Sequence, residues 1–356
     1  MRTVELSRRE MLRRAAKIGV ALWAAQSAGM AGVAWAAKPA VGVSALDEID
    51  GFATSATVHR DELLLAIQTH GGPHLFGRGL SPDSTWRSVA AVEAFPSGAY
   101  IRSLVSYGGQ LLALGTRSVS LGSVEFVIDD DQSYSNPEDP DIRPLPPGTV
   151  IREERRSIEP LLAASANLVE WKPIEGTGVE HGSFAGGFTV AGKLLLIGEL
   201  FDSPTFSADS IGALLIASAD LTAWEPLALP EKAQSRHGHF PGVAGVPAGG
   251  GLVVASDLRG KRLLETSDGL HWTASTLPGS VSLQPLGVAS VPGGVVVAGV
   301  DGDGIRAWVR SGPTWRELGV SSRGHLFGLT AMGAQLLLLG ANPDHTPLVA
   351  VNGGEG

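Results

Sequence analysis

Two histidines at alternate positions, His237 and His239, carry the clearest metal chemistry that this sequence suggests. An extended chain places alternate side chains on the same side, so the two imidazole rings can face one ion. Borderline divalent metals favour imidazole nitrogen. A His-x-His pair without a third fixed ligand specifies a metal weakly, and the alternative is that both are polar loop residues.

The same pair belongs to a larger set of polar side chains that precede or begin apolar, strand-like segments. If those segments are the inner strands of one closed ring, side chains at their starts converge on the mouth of a central channel. We predict a ligand site at this mouth. Its candidate residues are Tyr100, Arg102, His181, Arg236, His237, His239 and His325.

The elements that would position this site follow from an internal repeat. Residues 165–171 (SANLVEW), 218–224 (SADLTAW) and 266–272 (TSDGLHW) each place Ser or Thr six residues, and Asp or Asn four residues, before a Trp. Looser copies end at Trp86 and Trp315. The intervals from Trp171 to Trp315 are 53, 48 and 43 residues, which is in or near the length of a four-stranded propeller blade.

Around each of these turns lie four short apolar segments, and Gly-containing turns separate them. The pattern predicts an all-β fold, a six-bladed β-propeller of four-stranded antiparallel blades. The six units start near Thr54, Ile101, Phe184, Phe240, Gly287 and Phe327.

The last unit ends at Val351 after three strands. Because stable β-proteins avoid unpaired edges, we expect the segment from Pro39 to Phe52 to supply the fourth strand and close the ring. Seven blades are the alternative, if the long second unit contains a further blade.

The repeated turns resemble the Asp-box, or bacterial neuraminidase repeat, of sialidases and other secreted propellers. The resemblance implies a structural role, in which the hydroxyl and the carboxylate bond to the turn backbone and the Trp packs in the core. The residues assigned this role are Ser165, Asn167, Trp171, Ser218, Asp220, Trp224, Thr266, Asp268 and Trp272.

The catalytic set that this resemblance implies is not matched. Sialidases use a Tyr nucleophile with a Glu, an acidic acid/base residue and three Arg residues, and an Arg-Ile-Pro segment near the mature start is absent here. Of the three Tyr residues, only Tyr100 is placed to act. The catalytic residues stay unknown, and whether the protein is an enzyme stays open.

The first 36 residues are interpreted as an export signal. Residues 7–13 (SRREMLR) resemble a twin-arginine box, residues 18–36 are mildly apolar, and residues 34–36 (AWA) offer a cleavage site. We expect cleavage after Ala36 and residence in the periplasm, the cell envelope or the extracellular space. The alternative is a retained anchor, since about 20 apolar residues can span a bilayer.

The negative net charge of the chain disfavours some classes of binding partner. Cleavage removes six basic and two acidic residues, so 27 basic and 36 acidic residues fall to 21 and 34, and the net charge to about −13. Such a surface repels nucleic acid and anionic membranes. We expect residues 37–356 to form a single monomeric propeller domain without a membrane span. A loop insertion rich in Pro and Asp occupies about residues 117–157.

Together these features predict an exported propeller that binds a glycan or an envelope or extracellular protein through its loop- and His-rich face, without catalysis. Few Trp and Tyr residues map to that face, which slightly favours a protein partner. The alternative is a divergent glycoside hydrolase or lyase that acts on extracellular or envelope polysaccharide. The cofactor is unknown, with a divalent metal at His237 and His239 as the one hypothesis.

Overall fold

The computed structural model describes residues 46, 49–81, 84–127, 150–204, 210–229, 239–247, 249–257, 260–278, 284–292, 294–301, 304–318, 325–332, 335–341 and 346–352. Strands dominate these residues, and they pair with their neighbours in antiparallel fashion. No helix within them is long and apolar enough to cross a membrane.

Five sheets of four strands form the blades, each with its strands in chain order. The first contains β1 (Gly51–His59), β2 (Glu62–Thr69), β3 (Gly72–Gly79) and β4 (Arg87–Ala90). The second contains β5 (Ala99–Tyr107), β6 (Gln110–Val127), β7 (Val150–Ser165) and β8 (Lys172–Pro173). The third contains β9 (Gly182–Val190), β10 (Lys193–Phe201), β11 (Ser210–Ser218) and β12 (Glu225–Pro226).

The fourth blade contains β13 (His239–Gly245), β14 (Gly251–Asp257), β15 (Gly260–Thr266) and β16 (Thr273–Thr276). The fifth contains β17 (Gln284–Val291), β18 (Gly294–Asp301), β19 (Gly304–Ser311) and β20 (Thr314–Glu317). A last sheet has three strands, β21 (His325–Met332), β22 (Gln335–Ala341) and β23 (Pro347–Asn352). A short 3-10 helix, Val92–Ala94, lies between β4 and β5.

The prediction of six four-stranded blades is wrong, and so is the alternative of seven: the described residues form five four-stranded blades, and the last sheet has three strands. No closing strand is formed by the described residues of the segment 39–52, which are 46 and 49–52. Gly51 and Phe52 begin β1 and pair with Thr69 and Gln68 of β2, so they are already used inside the first blade. Residues 39–45 of that segment lie outside the described part of the chain.

The ring closes by side-chain packing between the first blade and the last sheet. Leu63 and Leu65 of β2 share one buried cluster with Leu337, Leu339 and Val349 of β22 and β23. Leu46, which precedes the first blade, is fully buried in the same cluster. Apolar burial of this kind stabilises the junction by about 1.5–3 kcal/mol for each large aliphatic side chain.

The second strands are continuous apolar runs because both of their faces are covered by neighbouring sheets. Leu111 to Leu114 of β6 are fully buried, and Leu111 packs in one cluster with Leu64 and Leu75 of the preceding blade. Trp171 belongs to this cluster and lies against Phe95, with ring centroids 4.8 Å apart. The repeated Trp therefore packs between blades.

The turn before each repeated Trp is held by its own side chains. Asp220 Oδ1 accepts hydrogen bonds from the backbone N–H groups of Thr222 (2.8 Å) and Ala223 (3.0 Å), and Ser218 Oγ accepts one from Leu221 (2.9 Å). The bonds from Ala223 and then Thr222 lower the pKa of the Asp220 carboxyl to about 2. Equivalent carboxylate or amide oxygens belong to Asn167 and Asp268.

The chain divides into two compact units. One contains residues 30–118 and 158–356 and holds the blades; the other contains residues 1–29 and 119–157. In the second unit the described residues, 119–127 and 150–157, are strand where the sequence predicted a loop insertion. Leu121 and Val127 are exposed there.

Two equivalent side chains link successive blades on the side of the turns between first and second strands. Tyr107 Oη donates to the carbonyls of Gly192 (2.9 Å) and Ala219 (2.8 Å) in the third blade. Arg60 donates to Gly109 and Ala166 in the second blade, at the corresponding turn positions. Each side chain joins two turns of the next blade to its own.

Replacing Tyr107 with Phe is expected to lower the free energy of unfolding by about 1 kcal/mol, because the carbonyls lose one donor while the ring is retained. Urea unfolding followed by Trp fluorescence measures this change. Lys193→Met, which removes the exposed ion pair with Glu225 beside the same turn, is the control and should have the smaller effect. Equal or reversed effects would show that Tyr107 does not link the blades.

Candidate functional site

Each of the six inner strands contains one β-bulge at the same level, where its register against the second strand shifts by one residue. A bulge turns one side chain away from its normal direction. The extra residues are Thr54, Arg102, Ala185, Leu286 and Phe327, and in β13 the shift lies between His239 and Gly242. These five side chains all line the central cavity.

The residue after each bulge is small, because neighbouring inner strands meet there backbone to backbone. A Cβ atom on Gly287 would lie 2.8 Å from the backbone nitrogen of Leu329, and one on Gly328 would lie 2.9 Å from the Thr54 carbonyl oxygen. In the first blade the small residue is Ser55, whose Oγ accepts a hydrogen bond from Leu104 N at 2.9 Å. This contact sets the diameter of the channel.

Arg102 is the one charged residue among the described residues that line the cavity. Its guanidinium donates to Ser183 Oγ (3.2 Å) and to the Phe240 carbonyl (3.4 Å), and its Nη1 lies 3.9 Å from Glu199 Oε1. The side chain therefore reaches from the second blade across the third to the fourth. Both it and Glu199 are largely buried, with side chains 22% and 10% exposed.

Three aromatic rings lie near the starts of the inner strands β1, β5 and β21. Phe52 stands 4.6 Å from Phe327 and 6.3 Å from Tyr100, measured between ring centroids. Burial raises the pKa of the Tyr100 phenol, although the positive charge of Arg102 opposes the shift. We call this end of the channel, with Phe52, Tyr100, Arg102, Glu199 and Phe327, the mouth.

The cavity itself has a volume of about 470 Å³ and runs along the inner strands from the bulges toward the turns that follow them. Seven hydroxyl side chains line it, at Thr54, Ser55, Thr57, Ser106, Thr189, Ser290 and Thr330. The volume lies in the range of small-molecule sites, about 300–1,000 Å³. The cavity can bind a small polar molecule through hydrogen bonds from these neutral hydroxyls and from the positively charged guanidinium of Arg102.

The structure brings some of the predicted site residues to the mouth and leaves others undescribed. Tyr100 and Arg102 are there, and their role in ligand binding stays a prediction. His181 lies just before β9, half-buried, with its Nδ1 buried and without a hydrogen-bond partner among the described residues. His325 begins β21 and is exposed.

The side chains of the remaining predicted site residues are not among those that the structure describes. Arg236 and His237 lie outside the described residues, and only the backbone of His239, at the start of β13, is described. Among the described side chains no three of His, Asp or Glu are grouped as metal ligands would be. The metal hypothesis for His237 and His239 stays a prediction.

Sequence reasoning missed Phe52, Phe327 and Ser183 as parts of the mouth. The aromatic residues at the starts of β1 and β21 fit a core position equally well by pattern, and the bulge that turns Phe327 into the channel leaves no periodic signal. Their position in the sequence could have indicated them, because Phe52 and Phe327 each precede a small residue at the start of an apolar run. Phe52 and Phe327 add aromatic side chains to a face on which the sequence predicts few Trp and Tyr residues.

No protein-family model matches the chain, and no curated protein shows significant sequence similarity to it. Solved structures are similar in fold. A glucose dehydrogenase superposes with a TM-score of 0.50 at 12% identity, over 87% of this chain and 99% of that one. At these identities the similarity shows the β-propeller fold and leaves the site undetermined.

Two further similar structures are enzymes on propeller scaffolds. Virginiamycin B lyase from Staphylococcus aureus gives a TM-score of 0.48 at 8% identity, over 86% of this chain and 97% of that one. The sialidase of Trypanosoma rangeli gives 0.46 at 10% identity, over 85% of this chain and 54% of that one.

At the far end of the channel from the mouth, His59 supports the residues that line it. The ring is 2% exposed, and its Nδ1 lies 2.9 Å from Ser106 Oγ. Burial lowers the pKa of His59 below its ordinary 6.5, and the positive charge of Arg60 lowers it further. The neutral ring is thus the form that the folded protein favours.

Because the folded-state pKa of His59 is depressed, its contribution to stability is complete above pH 6.5 and is lost as the pH falls through the depressed pKa. Urea midpoints are expected to fall between about pH 7.5 and about pH 5, and less so in His59→Gln. His70→Gln, at an exposed site, is the control and should keep the parent's pH dependence. An unchanged slope in His59→Gln would contradict this assignment.

Proposed function

We propose that the protein is an exported β-propeller that binds a glycan at the mouth of its channel and does not cleave it. The observation that carries this proposal is that Arg102, which acts electrostatically on Tyr100, and the neighbouring rings of Phe52, Tyr100 and Phe327 lie at the same end of the inner strands. Glycan sites combine an aromatic face for the apolar side of a sugar ring with a few directed polar groups.

The polar half of the mouth offers both a donor and an acceptor. Arg102 carries five N–H groups in a fixed fork, and its described bonds go to Ser183 and the Phe240 carbonyl. Glu199 lies 3.9 Å from that guanidinium. A sugar hydroxyl can accept a hydrogen bond from the arginine.

The mouth is a poor site for glycoside cleavage. A Tyr nucleophile is activated by a lowered pKa, whereas burial raises the pKa of Tyr100. Hydrolysis by two carboxylates needs both within about 5–10 Å of each other, and Glu199 is the one carboxylate among the five residues that define the mouth. We therefore favour binding over the hydrolase or lyase alternative.

The repeated turns support a structural reading of the Asp-box resemblance. Their hydroxyl and carboxylate oxygens bond to their own turn, as at Ser218 and Asp220. Trp224 is among the partly buried side chains of the core between blades. We propose that these residues build the scaffold and do not contact the glycan.

Arg102→Gln is expected to weaken glycan binding about tenfold or more, because hydrogen bonds from a charged donor contribute about 1.5–3 kcal/mol. The measurement is an array of bacterial envelope and extracellular polysaccharide fragments, followed by calorimetry with the best fragment. Arg306→Gln, which breaks an exposed ion pair with Glu317 on an outer strand, is the matched control and should bind as the parent does.

Thermal melting of both variants separates a local effect from misfolding. Capture of an envelope protein without any glycan signal would show that the partner is a protein, and release of cleaved sugar would show an enzyme. Equal binding by the parent and Arg102→Gln would remove Arg102 from the site.

Export is tested through the arginine pair at the start of the chain. Replacing Arg8 and Arg9 together with Lys is expected to abolish export, because twin-arginine translocation reads both guanidinium groups. Fractionation with an antibody measures this, and N-terminal sequencing of the exported parent should begin at Ala37. Export that persists in the variant would indicate another route.

A further inference from the structure

We infer that the channel holds a second ligand site at the end opposite the mouth, which takes a neutral polyhydroxylated molecule such as a single sugar ring or a cyclic polyol. We call this end the vestibule. It is formed by Thr57, Ser106, Thr189, Val246, Ser290 and Thr330, all of which line the cavity beyond the bulges.

The vestibule is open to solvent, and the cavity becomes more enclosed toward the bulges. At the bulge level Thr54, Ala185 and Leu286 are buried. At the turn end of the same strands Val58, Ser106 and Thr189 are exposed. A molecule can therefore enter between the turns that follow the inner strands, without passing the mouth.

The chemistry of the vestibule is neutral. Each hydroxyl has one donor and two acceptor positions, of which Ser106 uses one with His59 Nδ1, so the hydroxyls together match the alternating donors and acceptors of a polyol. Val58 and Val246, which line the same cavity and are at least partly exposed, can cover the C–H faces of a ring. A charged ligand placed there would lose water without gaining an opposite charge, which is unfavourable.

The charged residue that lines the cavity, Arg102, lies at the mouth. Arg102 reaches Ser183 and the Phe240 carbonyl, which precede the bulges of their strands. The hydroxyls of Thr189 and Thr330 come after the bulges of theirs. The vestibule is thus separate from the glycan contacts proposed at the mouth.

The test uses the mature protein and three neutral probes, D-glucose, D-galactose and myo-inositol, with D-glucuronate and D-glucosamine as charged comparators. Saturation-transfer NMR detects binding and calorimetry measures its affinity. We expect the neutral probes to bind and the charged ones to bind more weakly. Thr189→Val and Thr330→Val should each weaken binding of the neutral probes about fivefold, the loss of one hydrogen bond of about 1 kcal/mol.

Thr273→Val makes the same substitution at an exposed position on the outer strand β16 and should leave the affinity unchanged. Ala331→Phe, in a residue that lines the cavity, should block it and abolish binding if the variant melts as the parent does. If Ala331→Phe fails to fold, the two Thr variants decide the question.

The inference is overturned if none of the neutral probes binds at millimolar concentration. It is also overturned if charged probes bind better, or if the Thr189 and Thr330 variants bind as well as Thr273→Val. Because none of these variants touches the mouth, their result is independent of the glycan array.

Discussion

The architecture depends on one contact, the approach of neighbouring inner strands to backbone distance at a single level of the channel. Gly186, Gly242, Gly287 and Gly328 occupy that level, and a Cβ at any of them would lie under 3.0 Å from another atom. Larger residues would push the sheets apart and widen the ring. The bulge directly before this level lets each strand make the contact and still turn one side chain into the channel.

The same contact determines which polar and aromatic side chains lie at each end of the channel. Because the narrow level divides the inner strands, the side chains before it and after it face different ends of the channel. Arg102 and the aromatic rings gather at one end, and the Thr and Ser hydroxyls at the other. Arg102 also joins three blades through Ser183 and Phe240, so part of its role is structural. A guanidinium anchored on one side keeps its remaining N–H groups in a fixed direction, as binding requires.

The scaffold was largely predictable from the sequence because its signal is repeated. Spaced Ser, Asp and Trp residues marked the turns, and the predicted starts at Ile101 and Phe184 lie two residues inside β5 and β9. The closure was not predictable, since the last repeat has no Trp and the segment before Phe52 gives no pattern to separate an outer strand from an inner one. Tyr100 and Arg102 were named as candidates by their position, and their binding role stays a prediction. The bulges were not, because one extra residue changes neither the composition nor the local period.

The junction between the first blade and the last sheet has a mechanical consequence. In the described residues it is made of apolar packing and the Phe52–Phe327 ring contact, without the ladder of backbone hydrogen bonds that holds each blade together. Apolar side-chain contacts separate gradually when two sheets are pulled apart. Backbone hydrogen bonds between paired strands resist a force along the strands until many of them break together. Force applied between the two ends of the ring would open it at this junction first, leaving each blade folded. The molecule would then behave as a repeat array with two free ends, in which each sheet is stabilised by packing on its neighbours.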